Sequence, residues 1–182
     1  MKPYECDITA DELIGQLPQD LHYEDAFAIK VPLEYKIGPV GMMKLFFDSI
    51  PTWTKALLGI REALVGLIGL KTAKGIDMAK ELTDFEGKEG QAIGLFRVLG
   101  RGEDELMVGE SDKHLDFWLS FIGTSQAESF EMKLATAVVF NGWLGRWYFA
   151  PVKPLHRLIV PAVLKRMAKN LLHDPSNPVY RG

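Results

Sequence analysis

The stretch that decides the fold is residues 128–172, which read ESFEMKLATAVVFN (128–141) and then GWLGRWYFAPVKPLHRLIVPAVLKRMAKNLL (142–172). The first part alternates with a period of two, so its apolar side chains share one side of an extended chain. The second part repeats apolar residues at helical spacing, and a helix would gather them on one side. That side holds Phe149, Val152, His156, Ile159, Val160 and Val163, opposite Arg146, Lys153 and Arg157. We therefore predict a strand leading directly into a long C-terminal helix, residues 142–172.

Three prolines interrupt this predicted helix: Pro151, Pro154 and Pro161. Proline removes a backbone donor and clashes with the preceding turn, at a cost of roughly 3 kcal/mol inside a helix. We therefore expect the helix to be interrupted or bent near these residues. The alternative is that the helix proper starts near Pro154, used as a first-turn residue.

The composition is that of one globular domain, residues 1–182. Hydrophobic residues make up 47% of the chain and charged residues 25%, which is enough apolar material for a substantial core. The 21 basic residues are outnumbered by 24 acidic ones, and the net charge is −3. Nucleic acid is therefore disfavoured as a partner, because phosphate binding requires a concentrated positive field.

Cysteine use and hydropathy predict a cytoplasmic protein. The single cysteine, Cys6, has no partner for a disulfide or a metal site, which is typical of a reducing compartment. The first 20 residues contain no continuous apolar run of the kind found in secretion signals. Two stretches, 56–70 and 134–164, are strongly apolar, but charged residues interrupt both. We therefore predict no membrane span.

Upstream, the chain offers an arm and a strand. Residues 1–20 form the N-terminal arm, in which Thr9 and Glu12 have the spacing of a capping box for a short helix. Residues 22–31 alternate as a half-buried strand with Asp25 on its apolar side. That carboxylate is either a cavity acid or a strand-end acid that reaches solvent or a backbone N–H.

Two helices and a connector follow the first strand. Residues 40–50 and 51–70 carry Met, Leu and aromatic residues at helical spacing, so we predict a two-helix layer. Residues 71–91 are rich in Lys, Glu, Asp and Gly and form a charged connector. One short strand or helical turn is expected within it, near residues 78–85.

Four strands complete the predicted sheet, at residues 92–99, 105–110, 114–121 and 128–140, separated by glycine-rich or Ser-Asp turns. Successive strands joined by short turns form an antiparallel meander. One side of this sheet is apolar, and the C-terminal helix is available to cover it. The predicted fold class is therefore α+β.

Several motifs stand within this order of elements. They are Tyr23-Glu24-Asp25-Ala26-Phe27, LGIREALVGL at 58–67, His114-Leu115-Asp116-Phe117, and NGWLGR at 141–146 continuing to PLHRLI at 154–159. Together they resemble the START-like, polyketide-cyclase-like (SRPBCC) superfamily, and most of all a family within it known only as a domain of unknown function. The resemblance implies a helix-grip fold, in which a curved antiparallel sheet wraps around the last helix and an apolar cavity.

The resemblance leaves activity open, because START-like folds include lipid carriers, hormone receptors, cyclases and chaperone cofactors. Members of the family are sometimes fused behind reductase-type nucleotide-binding domains. A separate reductase-type protein is therefore one candidate partner.

The strand and helix phases direct one set of side chains into the layer between the sheet and the C-terminal helix. We predict that a pocket there is lined by Phe27, Phe46, Leu64, Phe117, Leu119, Met132, Leu134, Phe149, Val152, His156 and Ile159. His156 is expected to be its principal polar group.

The polar candidates are Asp25, Arg61, Tyr148 and His156. An acid or imidazole in an apolar cavity could transfer a proton, because desolvation moves its pKa toward neutrality. Alternatively, His156 is structural, satisfied by Tyr148 or a backbone carbonyl, or it orients a ligand through a hydrogen bond. Arg61 either pairs with Asp116 as a clamp or holds a ligand carboxylate.

No cofactor and no metal are predicted. The four histidines lie on separate elements without metal-ligand spacing, and the Gly-x-Gly of residues 100–102 lacks the third glycine and the helix of a dinucleotide site.

The leading hypothesis is a soluble protein that binds an apolar small molecule or lipid between the sheet and the C-terminal helix. The first alternative is a cyclase- or isomerase-like enzyme in which Asp25 or His156 moves a proton. The second is an interaction module whose apolar face meets a partner such as the reductase-type protein.

Overall fold

The computed structural model describes residues 1–17, 20–51, 78–177 and 180, without the side chains of residues 78–80 and 148. Within these ranges the chain forms a curved, open, seven-stranded antiparallel sheet with the order β1-β2-β7-β6-β5-β4-β3. The strands are β1 (Tyr4–Glu5), β2 (Tyr23–Pro32), β3 (Ala92–Ile93), β4 (Phe96–Arg101), β5 (Glu105–Ser111), β6 (Leu115–Ser125) and β7 (Ser129–Phe140). The first long strand therefore lies beside the last.

The described helices are α1 (Pro39–Ser49), α2 (Met78–Asp84) and α3 (Trp143–His173), with 3₁₀ turns at Ile14–Gln16 and Leu33–Tyr35. α1 begins at Pro39, whose fixed φ suits the first turn of a helix. α1 and α3 contact each other, and both contact the same sheet. The predicted α+β class, with an antiparallel sheet and a long C-terminal helix packed against it, is confirmed.

The core face of the sheet is built from cross-strand rows of β2, β7 and β6. In register across these strands lie Tyr23, Val138 and Phe117, then Asp25, Thr136 and Leu119, then Phe27, Leu134 and Phe121. The alternation predicted for β2, β6 and β7 is confirmed, because these residues pack into the core clusters beneath α1 and α3.

The junction between β7 and α3 is fixed by one asparagine and two glycines. Gly142 has a φ of 114°, which side-chain-bearing residues rarely adopt. A Cβ at Gly145 would lie 2.1 Å from the carbonyl oxygen of His114, so the first turn of α3 rests on the backbone before β6. Asn141 donates its backbone N–H to the His114 carbonyl at 2.8 Å and its side-chain amide to the Asp112 carbonyl at 2.9 Å. The motif NGWLGR is thus the fold-back that directs α3 across the sheet.

The N-terminal arm covers the opposite face of the sheet. Lys133, which points to that face from β7, donates to Glu12 Oε1 and to the carbonyl of Asp7, each at 2.6 Å. Small side chains are buried beneath the arm, among them Ala26 and Ala137. The strand predicted to be half-buried is therefore covered on both faces in its centre.

A second buried group anchors the arm. The carboxylate of Glu105 accepts the backbone N–H of Leu13 at 2.7 Å and that of Ile14 at 3.2 Å. It also accepts the hydroxyl of Ser120, at 2.6 Å. The arm thus depends on buried charges of both signs, Lys133 and Glu105.

Two sequence predictions about the arm and the fourth strand need correction. The predicted helix after Thr9 is only the 3₁₀ turn Ile14–Gln16, although Glu12 accepts the Thr9 N–H at 3.1 Å as a capping box requires. The strand predicted at residues 92–99 is two strands, β3 and β4, because the chain reverses at Gly94, whose φ is 60°.

The helical predictions have mixed outcomes. The turn expected near residues 78–85 is helix α2. The second helix of the predicted layer, residues 51–70, lies outside the described residues apart from Pro51, as does the start of the connector. α3 runs continuously from Trp143 to His173 with its three prolines inside, so the expected interruption and the start near Pro154 are wrong. A bend stays a prediction.

Candidate functional site

Asp25 stands on the core-facing side of β2, the second strand from one edge of the sheet. Its register partner on β7 is Thr136, and Leu119 of β6 completes the row. Two residues before it on the same strand face is Tyr23, and two residues after it is Phe27. A carboxylate is therefore set among apolar and aromatic side chains, where it needs donors.

α3 supplies the principal donor. His156 Nε2 lies 3.2 Å from Asp25 Oδ1 and 3.2 Å from Thr136 Oγ1. The hydroxyl of Tyr23 donates to Asp25 Oδ2. The four residues Tyr23, Asp25, Thr136 and His156 form one hydrogen-bonded group, which we call the Asp25 cluster. It joins β2, β7 and α3.

The Asp25 carboxylate is ionised at neutral pH. Its side chain is only 1% exposed, and this burial raises its pKa. The hydrogen bond and the charge of His156, together with hydrogen bonds from Tyr23 and Thr136, act in the opposite sense and hold the pKa of Asp25 below its ordinary value. Burial, and then the neighbouring Asp25, raise the pKa of the Tyr23 phenol, which therefore stays a donor.

The two nitrogens of His156 have different surroundings. An ionised Asp25 has no proton to give, so the hydrogen in the Asp25 contact is carried by Nε2. No described residue hydrogen-bonds to Nδ1. The imidazole is thus held in place through one nitrogen, while the other can accept a proton or, in the imidazolium, donate one. The side chain is 21% exposed.

Aromatic and cationic groups surround the cluster. The rings of Tyr23 and Phe149 lie 4.9 Å apart, and the His156 ring meets Tyr23 edge-on at 6.0 Å. Lys153 Nζ lies 5.2 Å from the centre of the Tyr23 ring, so one cation stands close to the cluster.

A second cation, Arg157, lies over Phe27 at 6.0 Å. It also donates to both carboxylate oxygens of Glu5 on β1, each at 2.7 Å. Arg157 therefore ties α3 to the edge of the sheet. Arg157 and Lys153 are both exposed, as the sequence predicted for this side of the helix, and each also reaches an aromatic ring of β2.

The structure divides the predicted lining residues into two groups. Phe149 and Val152 join Phe117 and Tyr23 beside the Asp25 cluster. The main core contains Phe27, Leu119, Met132 and Leu134, with Phe46 and Ile159 packed against it. Phe46, Phe117, Val152, Ile159 and His156 are only partly buried. Leu64, Arg61 and the side chain of Tyr148 lie outside the described part of the chain. The clamp predicted between Arg61 and Asp116 therefore stays a prediction.

Sequence reasoning did not identify Tyr23 and Thr136 as polar partners, nor Lys153 as a neighbour. The sequence does contain a feature that could have indicated them: Tyr23 and Thr136 are hydroxyl-bearing residues on the otherwise apolar sides of β2 and β7. Among the described residues, the hydrogen-bond partners of His156 are Asp25 and Thr136, and a backbone carbonyl, one of the predicted alternatives, is not among them.

The clefts among the described residues include two that lie away from the Asp25 cluster's face of α3. One of ≈440 Å³ lies beside the N-terminal arm, and its lining includes Ile8, Ile14, Leu17, Leu21 and Glu24. The other, of ≈200 Å³, lies beside α2 and is lined by Glu81, Asp84, Phe85, Gln91 and Ala92. The pocket predicted between the sheet and α3 stays a prediction.

Metal and membrane criteria give two further findings. Within residues 1–17, 20–51, 78–177 and 180, no three His, Cys, Asp or Glu residues are grouped as a metal site would require. None of the helices in those ranges has both the length and the apolar character needed to cross a bilayer.

A curved antiparallel sheet with a long C-terminal helix across one face defines a helix-grip-like α+β fold, here with an acid–histidine pair between sheet and helix. A family model matches residues 17–163, and the chain belongs to that family, DUF2867, described as a protein of unknown function. All the candidate residues named above lie within the matched range. Comparisons with curated proteins and with solved structures gave no match.

Proposed function

We propose that this protein binds a hydrophobic small molecule or lipid between the sheet and α3, with the polar end of the ligand at His156. The observation that carries the proposal is the state of the His156 ring. Its Nε2 is held by Asp25 and Thr136, whereas its Nδ1 has no described partner and the side chain is partly open to solvent. A fixed imidazole among apolar groups suits a ligand with an apolar body and one hydrogen-bonding end.

The apolar surroundings support the same proposal. Phe46 meets Phe47 at 5.5 Å and Phe121 at 5.4 Å, while Phe96 meets Phe47 at 5.4 Å and Phe117 at 5.6 Å. All but Phe121 are partly buried. Partly open aromatic rings at the core face of the sheet offer a surface that an apolar ligand can cover.

We further propose that residues 1–182 form one START-like domain that works in the cytoplasm. The curved sheet and the long C-terminal helix support the kinship. The free thiol of Cys6 supports a reducing compartment.

The test compares two probes on matched variants. The purified protein is titrated with a fluorescent fatty acid and with pyrene, which lacks a polar end. His156→Phe should weaken fatty-acid binding about tenfold, the effect of one lost hydrogen bond, and leave pyrene binding unchanged. His173→Phe makes the same change at the exposed end of α3 and should bind both probes like the wild type.

Two results would overturn the proposal. Equal losses for both probes in His156→Phe would remove His156 from the site. No uptake of either probe by the wild type would favour the interaction-module hypothesis. Mass spectrometry of molecules that copurify with the protein would supply the natural ligand.

The Asp25–His156 pair also favours a second candidate, an isomerase- or cyclase-like enzyme. In it, His156 Nδ1 removes a proton from a carbon next to a carbonyl group and returns it to another carbon, while Asp25 holds the ring and stabilises the imidazolium. The copurified ligand, incubated with the protein in deuterated water, should then gain deuterium at that carbon. Unchanged isotope content in wild type and His156→Phe alike would exclude this candidate.

A further inference from the structure

The side of α3 that faces away from the sheet carries a row of exposed apolar residues. Trp143 is 69% exposed, Trp147 75% and Leu158 68%. With the exposed Ala150, Pro151 and Pro154, they fall within one side of the helix at 100° per residue, opposite the buried Phe149 and Val160. We call these six residues, Trp143, Trp147, Ala150, Pro151, Pro154 and Leu158, the outer ridge. Such a cluster of exposed large apolar residues marks an interaction surface.

The charged Lys, Arg, Asp and Glu residues of α3 are all of one sign, positive. The helix contains six of the 21 basic residues of the chain and none of its 24 acidic ones. The six are Arg146, Lys153, Arg157, Lys165, Arg166 and Lys169, and all are exposed. Of these, Arg157 is paired with Glu5. An acidic protein has therefore concentrated positive charge along the helix that bears the outer ridge.

We propose that the outer ridge docks α3 on the surface of a membrane that contains anionic lipids. Tryptophan favours the level of the lipid headgroups, where its ring meets apolar chains and its N–H meets polar groups. Cations beside an apolar helical face are attracted to anionic headgroups, and such helices lie in the plane of the interface. The inner face of α3 is already packed on the sheet, so among the described residues the outer ridge is a face of this helix that is open for docking.

Charge favours a membrane over a second copy of this chain. A second copy of this chain would bring its own cationic α3 against the first in a symmetric contact, and like charges would oppose the pairing. An anionic lipid surface complements both the ridge and the cations.

The proposal does not rest on ligand binding, although docking would bring the helix that carries His156 against a source of apolar molecules. The two can be tested separately, because probe titrations in solution need no membrane.

The experiment is vesicle flotation of the full chain with phosphatidylcholine vesicles, either pure or containing phosphatidylglycerol. The wild type should bind the anionic vesicles at least tenfold more strongly than the neutral ones, and added salt should weaken the binding. The double variant Trp143→Ser/Trp147→Ser should lose binding, and Arg146→Gln/Lys165→Gln should lose the preference for anionic vesicles. Both pairs are exposed, so thermal unfolding should match that of the wild type.

Matched controls change similar residues elsewhere. Leu99→Ser alters an exposed apolar residue on β4, and Lys36→Gln/Lys113→Gln removes two exposed cations away from α3. Both controls should float like the wild type. Equal binding to neutral and anionic vesicles, or loss of binding in the controls, would overturn the proposal. So would self-association of the wild type that the tryptophan variant abolishes without any vesicle binding, which would assign the ridge to a contact between copies.

Discussion

Replacing Asp25 by asparagine tests the Asp25 cluster most directly. The carboxylate accepts from Tyr23 through one oxygen and from His156 through the other. An asparagine keeps the shape but has one oxygen, so its amide group faces one of the two donors. The partner that faces the amide must then accept instead of donate, the Tyr23 hydroxyl by rotating or His156 by moving its proton to Nδ1, so neutral hydrogen bonds replace those to a charged group. We therefore expect Asp25→Asn to cost about 1.5–3 kcal/mol at pH 7, which lowers the melting temperature by about 4–8 °C in a chain of this size.

The loss of stability in Asp25→Asn should depend on pH, and the shift in the pKa of Asp25 determines whether it grows or shrinks as the pH falls. Because this pKa is lower in the folded state, the stabilisation is fully present above the unfolded-state value of about 3.9. It is lost as the pH falls from there through the folded-state pKa. Urea unfolding at a series of pH values from 7 to 3 should therefore show the wild type losing stability more steeply than Asp25→Asn below about pH 4.

Glu24→Gln is the matched control, because Glu24 is the exposed neighbour on the other face of β2. It should unfold like the wild type at pH 7. If Asp25→Asn were as stable as the wild type at pH 7, or if its deficit were the same at pH 7 and pH 3, the hydrogen-bonded carboxylate would not exist as described.

Two further variants test the frame around the site. Lys133→Met should destabilise the chain by about 2–3 kcal/mol, because Glu12 loses its buried partner while keeping the Thr9 N–H. Limited proteolysis should then cut the N-terminal arm sooner than in the wild type. Unchanged cleavage and unchanged stability would contradict the anchoring role of Lys133. Gly145→Ala should cost about 1–3 kcal/mol, since its Cβ would meet the His114 carbonyl. A Cβ at Gly102 would meet no atom closer than 3.8 Å, so Gly102→Ala should be close to neutral, and equal thermal stability of the two alanine variants would show that α3 does not rest there.

The strands and the buried side of the C-terminal helix could be predicted because burial repeats at a fixed period. Leu119 and Met132 are buried in the core as a strand period of 2 predicts, and Val163 is buried as a helical period of 3.6 predicts. Hairpins joined by short turns then leave little freedom of topology. The pairing of β2 with β7 was outside this reasoning, because it joins strands about one hundred residues apart.

The polar partners could not be predicted, because they depend on such distant pairings. Asp25 and His156 are separated by 131 positions and Lys133 and Glu12 by 121. A lysine at an outward position of a strand is normally solvated, and only the arm folding over it makes Lys133 a buried group. The sequence leaves Asp25 as either a cavity acid or a strand-end acid for the same reason, since the helix that brings His156 lies far along the chain.

The three prolines of α3 set a limit on how the helix can use its outer side. Each lacks an amide hydrogen, so the carbonyl groups four positions earlier, those of Trp147, Ala150 and Arg157, lose the donor that a regular helix would supply. At 100° per residue, Pro151, Pro154 and Pro161 all fall on the side turned away from the sheet. These oxygens need water or a headgroup donor, which the hydrocarbon interior of a bilayer does not offer. If the helix docks as we propose, we therefore expect it to rest among the hydrated headgroups and to stay out of the hydrocarbon interior.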